Sequence, residues 1–85
     1  MTISDYQTAL VTGASSGIGE AVVEDLVKHG LTVHAIARRA DRLEELKEKT
    51  GCTTHILDVR DTEKMNDLFS SIAPDILINN AGVGR

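Results

Sequence analysis

With 85 residues, a formal net charge of −4 and 26% charged side chains, the chain has room for one small domain. It lacks the basic balance expected of a general nucleic-acid binder. Chains of this size bury only about 60–65% of their unfolded surface, and with Tyr6 and Phe69 as the sole aromatics the core has to be built from Val, Ile, Leu and Ala. Cys52 stands alone, so no internal disulfide forms and no metal cluster is suggested; it reads as a small, semi-buried hydrophobe. Met1 to Tyr6 has no basic stretch leading into an apolar one, and no run approaches the roughly 18 apolar residues of a membrane span. A soluble, cytoplasmic chain without a membrane partner is expected.

Thr8-Ala9-Leu10-Val11 is a short apolar run, suited to a strand buried on both faces. It enters Thr12-Gly13-Ala14-Ser15-Ser16-Gly17-Ile18-Gly19, and an amphipathic stretch begins near Gly17, with Ile18, Val22 and Leu26 at i, i+4, i+8 and Val23 and Val27 beside them. His29 and Gly30 supply last-turn and terminating signals. Thr32 to Ala37 reads as a second strand. Ala40 to Thr50 reads as a charged helix with Leu43 and Leu46 inward, a Glu45–Lys49 pair on its solvated face, and Gly51 closing it. Thr53 to Leu57 is a third strand. Asp61 is a candidate N-cap for a third helix, in which Met65, Leu68, Phe69 and Ile72 fall on one face at core spacing. Pro74 ends that helix, and Ile76-Leu77-Ile78 is a fourth strand running into Asn79-Asn80-Ala81-Gly82.

The order β-α-β-α-β-α-β, with tight connections and no linker or repeat, predicts an α/β fold: a Rossmann-like, doubly wound parallel sheet with right-handed crossovers, here four strands and three helices. Ligands of such sheets bind beyond the carboxyl ends of the strands. All four strand ends carry polar or glycine residues, namely Thr12-Gly13, Arg38-Arg39, Asp58 and Asn79-Asn80.

The glycine stretch admits two readings on its own, a plain turn or a phosphate cradle. In a cradle, glycines let the backbone approach an anion while the first N–H groups and the dipole of the following helix face it. Its spacing, Gly13-x-x-x-Gly17-x-Gly19, departs from the G-x-G-x-x-G dinucleotide fingerprint and lacks the Gly-Lys-Ser/Thr end of a P-loop. In dinucleotide folds a carboxylate about 20 residues beyond the glycines receives the ribose 2′-OH, whereas arginine accommodates a 2′-phosphate. Arg38 and Arg39 occupy that place, with no carboxylate between Val33 and Ala40. The two arginines also read as a solvated surface pair, but cations at a helix N-terminus oppose its dipole, so an anionic partner is the better explanation, which prefers NADP(H) over NAD(H). Asp58 reads equally as an acceptor for an exocyclic amine such as adenine's and as an ordinary strand-end aspartate. Asn79 and Asn80 are expected to stitch neighbouring strands, while Ala81 and Gly82 let a ligand approach the backbone.

On these residues the chain resembles the N-terminal part of a classical short-chain dehydrogenase/reductase. Thr12 to Gly19 matches that family's T-G-x-x-x-G-x-G cofactor loop, Asn79-Asn80-Ala81-Gly82 its N-N-A-G motif, Asp58-Val59 its adenine-contacting position, and Arg38-Arg39 its NADP-preferring subset. The resemblance covers essentially everything after Tyr6. It implies that Ser15, Ser16 and Ile18 lie against the phosphates, and Asn80, Ala81 and Gly82 against the ribose next to the nicotinamide. Hydride transfer between nicotinamide and a carbonyl or alcohol is the implied chemistry. The family's proton handling falls to a Tyr-x-x-x-Lys pair, in which lysine lowers the tyrosine pKa, together with a Ser and an Asn. Tyr6 has Leu10 where a lysine would stand and precedes the first strand, so no catalytic residue can be assigned.

Residues 1–85 are therefore expected to form the cofactor-binding part of a single Rossmann-fold domain, inactive alone. A small-molecule substrate and a homo-oligomer would belong to a longer form. The competing expectations are a non-catalytic NADP(H)-binding or sensing module and a split enzyme.

Overall fold

The aliphatic runs of the sequence assemble into one parallel four-stranded sheet in the computed structural model, which describes residues 7–15 and 17–80. Tyr6, Ser16, Ala81 and Gly82, singled out above, lie outside the described residues. The elements in chain order are β1 (Thr8–Thr12), α1 (Gly17–Lys28), β2 (Thr32–Ala37), α2 (Ala40–Thr50), β3 (Thr53–Ile56), α3 (Thr62–Ile72) and β4 (Ile76–Asn79). The strand order is β3-β2-β1-β4. The chain winds outward from β1 to β3, then crosses back to add β4 on the other side. Right-handed crossovers in opposite directions put α1 and α2 on one face and α3 on the other.

Register follows from side-chain alternation. Leu10 lies opposite His34 on β2 and Leu77 on β4, and Ile36 opposite His55 on β3. Ala9, Val11, Val33, Ala35 and Ala37 therefore share one face and meet Val23, Leu26, Leu43 and Leu46 from the two helices in a single apolar cluster. Leu10 and Ile36 are fully buried on the opposite face, each contributing about 1.5–3 kcal/mol by burial. Cys52 is buried in the cluster, a hydrophobe as expected and more deeply placed than the semi-buried position read from the sequence. At the lower edge, Asp75 Oδ2 accepts from the backbone N–H groups of Gln7 and Thr8, both at 3.0 Å, which locks β4 alongside the start of β1.

The helix ends are chemically specified. Leu31 N–H donates to Leu26 O at 3.2 Å and Gly30 N–H to Val27 O at 2.9 Å, a Schellman closure of α1 with Gly30 at φ 87°. The buried pair Leu26 and Leu31 supplies the apolar contact that accompanies this motif. Gly51, at φ 80°, closes α2. Asp61 caps α3, its Oδ1 accepting from Lys64 N–H at 3.3 Å.

Two expectations are corrected. Met65, Leu68, Phe69 and Ile72 are not core: α3 has no buried residue, Phe69 is 40% exposed, and Leu77 on the same sheet face is 49% exposed. Four strands spaced about 4.8 Å apart present a surface wider than the roughly 10 Å that one helix covers. The opposite face has two helices and is sealed. Lys49, in turn, does not pair with Glu45 along its own helix; its ammonium reaches Glu24 Oε2 on α1 at 2.8 Å, bridging the two helices. That contact raises the Lys49 pKa, chiefly through the hydrogen bond to Glu24.

Candidate functional site

The four strand ends lie along one rim, and the loop after β1 is bound to its neighbours on three sides. Gly13 turns the chain at φ 65°, a left-handed conformation that glycine adopts without a Cβ penalty. Ala14, fully buried, donates its N–H to Ile36 O at 3.1 Å, joining the loop to the end of β2. Gly13 O accepts from Asn80 Nδ2 at 3.1 Å, joining it to the end of β4. Gly19, in the first turn of α1, is packed so closely that a Cβ there would sit 2.3 Å from Gly13 O and 2.8 Å from Ala14 Cα. Only glycine brings the helix this near the loop.

Thr12 is the hub between β1 and β4. Its Oγ1 donates to Asn79 Oδ1 at 2.9 Å and accepts from Asn80 N–H at 3.1 Å. The stitching role expected of Asn79 and Asn80 is therefore seen, with Thr12, the first residue of the glycine-loop match, as its partner. The first turn of α1, the positive end of the helix dipole, faces the same rim. Gly17 is exposed with open space around its Cα, Ile18 is 67% exposed, and Ser15 is half-buried.

Arg38 and Arg39 follow β2 and are both exposed. Arg38 Nη1 lies 3.9 Å from Asp58 Oδ2, and Arg39 Nε lies 3.6 Å from Asp41 Oδ1. Neither separation is a hydrogen bond. Exposed pairs of this kind are worth about 0–1 kcal/mol, so both guanidinium groups can turn to another anion at little cost. Arg39 precedes α2 without capping it by its side chain.

Asp58, at the end of β3, is held by Arg60. Its Oδ1 accepts from the Arg60 backbone N–H at 2.9 Å and from Nε at 3.1 Å, and its Oδ2 accepts from Nη2 at 2.8 Å. These donors, with the added charges of Arg60 and Arg38, lower the carboxyl pKa from 3.8 to about 2. Asp58 is thus an anion across the ordinary pH range, and Val59 beside it is half-buried. Arg60 is a partner of Asp58 that spacing alone did not reveal, although Asp58-x-Arg60 is a separation at which a side chain can fold back across a turn.

On the α3 face, His34 Nδ1 and His55 Nε2 are 3.0 Å apart, with ring centroids at 5.2 Å and an interplanar angle of 18°. The centroid separation is close to the nitrogen contact plus two ring radii, so the rings meet edge to edge in nearly one plane, one nitrogen donating to the other. Burial lowers both pKa values, and the neighbouring His34 lowers that of His55 further. Among the described residues no group of three or more His, Cys, Asp or Glu side chains is arranged to hold a metal ion. Nor is any described helix long and apolar enough to cross a membrane.

Comparison with known proteins agrees with this architecture. A family model described as short chain dehydrogenase matches residues 7–85. The chain is 40% identical over 81 residues to the NADP-dependent 3-hydroxy acid dehydrogenase YdfG of Escherichia coli K12, covering 87% of this chain and 33% of that protein. Among solved structures, serine dehydrogenase from Escherichia coli superposes with a TM-score of 0.83 at 36% identity, over 93% of this chain and 40% of the other. L-sorbose reductase from Gluconobacter frateurii, solved with NADPH and L-sorbose, superposes with a TM-score of 0.75 at 38% identity, over 94% of this chain and 35% of the other. The chain spans about a third of the length of the curated relatives it matches.

Proposed function

The chain belongs to the short-chain dehydrogenase family, and from that premise we propose that its strand-end rim binds the adenosine side of NADP(H). It would serve as the cofactor-holding part of an oxidoreductase acting on a carbonyl or alcohol substrate. The observation that carries the reading is the cradle at Gly19, where the absence of a Cβ lets α1 close on a loop anchored to β2 and β4. A dinucleotide diphosphate needs such close backbone approach at a helix N-terminus. The dependence of the YdfG relative on NADP, and the NADPH held by the sorbose reductase, support the same cofactor.

The residues divide the cofactor among themselves. Gly13, Ser15, Ser16, Gly17, Ile18 and Gly19 take the diphosphate. Arg38 and Arg39 take the 2′-phosphate, where a guanidinium fork suits a phosphate and the absence of a nearby β2 carboxylate removes the usual 2′-OH acceptor. Asp58 and Val59 border the adenine. Asn80, Ala81 and Gly82 take the nicotinamide-side ribose, and Asn80 is held by Thr12 and Gly13. When bound, the cofactor supplies hydride exchange with the substrate. The residues of this chain bind and orient it. None of the 85 forms a Tyr-x-x-x-Lys pair, so residues 1–85 alone bind cofactor without turnover in this reading.

Fluorescence titration of NADPH and NADH against the parent and the Arg38→Ala/Arg39→Ala double variant tests the assignment. Losing charge-assisted hydrogen bonds worth about 1.5–3 kcal/mol weakens NADPH binding by about 10- to 100-fold and leaves NADH binding nearly unchanged. Equal losses for both cofactors would reduce the arginines to surface charge.

A further inference from the structure

Asp58 is enclosed by a side chain that the cofactor assignment does not use. The pairing of β2 with β3 continues one step past the strands, Leu57 N–H donating to Ala37 O at 3.0 Å. Continued past Ala37 and Ile56, the register sets Arg38 level with Leu57, one step before Asp58, and Arg38 Nη1 reaches to 3.9 Å from Asp58 Oδ2. The two cations around the carboxylate act differently. Arg60 grips both oxygens through Nε and Nη2, adding its own backbone N–H, whereas Arg38 stays 3.9 Å away and contributes only charge.

This difference matters for an anion arriving at Arg38. If Asp58 had Arg38 as its sole counter-ion, the pair would be neutral, and a 2′-phosphate would have to compete with the carboxylate for the same guanidinium. With Arg60 bound to Asp58, the trio carries one net positive charge. Arg39 and Asp41 form a neighbouring neutral pair. Resting on the reading of the rim as an NADP(H) site, we propose that Arg60 is a positioning residue for cofactor choice. Its fork fixes Asp58 and neutralises it, which releases Arg38 to the 2′-phosphate. Arg60 itself is 77% exposed, so its replacement leaves the core intact. NADH, lacking that phosphate, does not draw on the charge released at Arg38.

The test measures NADPH and NADH dissociation constants for the purified parent protein and for Arg60→Ala, Arg60→Gln and Arg60→Lys at one low ionic strength. A carbon-13 NMR titration of the Asp58 carboxyl, without cofactor, accompanies it. The expected result is a loss of about three- to tenfold in NADPH affinity for Arg60→Ala and Arg60→Gln. That is the range one exposed unit charge a few ångströms from a dianion supports. NADH affinity stays within about twofold, and Arg60→Lys, which keeps the charge, recovers most of the loss. The Asp58 titration should rise from about 2 toward the ordinary 3.8 in Arg60→Ala.

An unshifted Asp58 titration overturns the proposal at its structural root. A shifted titration with an unchanged NADPH-to-NADH ratio overturns the role in cofactor choice while leaving the fork intact. A parent that binds neither cofactor refutes the reading of the rim, and with it this use of Arg60; that result is seen before any variant is compared.

Discussion

Replacing Gly19 by alanine asks whether the cradle is a packing requirement or a coincidence of composition. The added Cβ would lie 2.3 Å from Gly13 O, where ordinary contact begins at 3.4 Å, so helix and loop must separate by about 1 Å. Both partners are backbone and cannot swing away. The loop is tied down by Asn80 Nδ2 to Gly13 O and Ala14 N–H to Ile36 O, each 3.1 Å, and a shift of that size stretches both beyond hydrogen-bond range. Overpacking costs about 1–3 kcal/mol and each weakened bond about 1 kcal/mol, giving about 3–5 kcal/mol altogether. A chain of 85 residues has about 4–13 kcal/mol of total stability, so the variant should lose much of its cooperative transition. Gly17→Ala is the control, two residues earlier in the same helix, with nothing within 4 Å of its new Cβ. It should be neutral or stabilising by up to about 1 kcal/mol. Urea unfolding followed by circular dichroism, with NADPH titration of whatever remains folded, separates the two. Equal midpoints for Gly19→Ala and Gly17→Ala would refute the argument, because the two changes differ in what the Cβ meets.

The burial of His34 and His55, which lowers both pKa values, makes stability depend on pH. Both folded-state pKa values lie below 6.5, so below that pH the unfolded chain binds more protons. The contribution of the neutral pair is complete above pH 6.5 and declines as the pH falls through the lowered folded values. Lys64 and Asp67 of α3 line the cleft beside His55 and provide opposing charges there. Urea midpoints should therefore fall between pH 7 and 5, and fall less in His55→Gln; parallel profiles for the two proteins would remove the pair from the account. The Asp61 cap is exposed to a simpler test, because α3 buries no residue completely and depends on local interactions. Asp61→Ala should cost about 0.5–2 kcal/mol, with faster amide exchange confined to the first turn of α3, and unchanged exchange at Lys64 would show the cap to be idle.

The local elements were legible in the sequence because each was marked by chemistry within a few residues. Gly30 and Gly51 took the left-handed positions that end α1 and α2, Asp61 took the cap of α3, and the aliphatic runs became strands within one residue of the expected bounds. The rim was legible too, since alternating strands and helices place all strand ends together. Side-chain partners were not. Lys49 had two carboxylates at comparable cost, and the packing of α1 against α2 chose Glu24. The apolar stripe on α3 looked like core because periodicity reports which face is apolar, not whether anything covers it.

The sequence by itself determined the strand–helix alternation, the glycine loop and the two arginines beyond β2, all of which follow from local geometry and charge. Only the tertiary structure decided that Gly19 touches Gly13 O, that Thr12 joins Asn79 and Asn80, that Arg60 grips both oxygens of Asp58, and that His34 and His55 meet through their ring nitrogens. Except for Arg60, whose guanidinium folds back over two residues, these contacts join residues brought together by the winding of the chain or by strand register. Such neighbours leave no periodic or short-range trace in a linear chain.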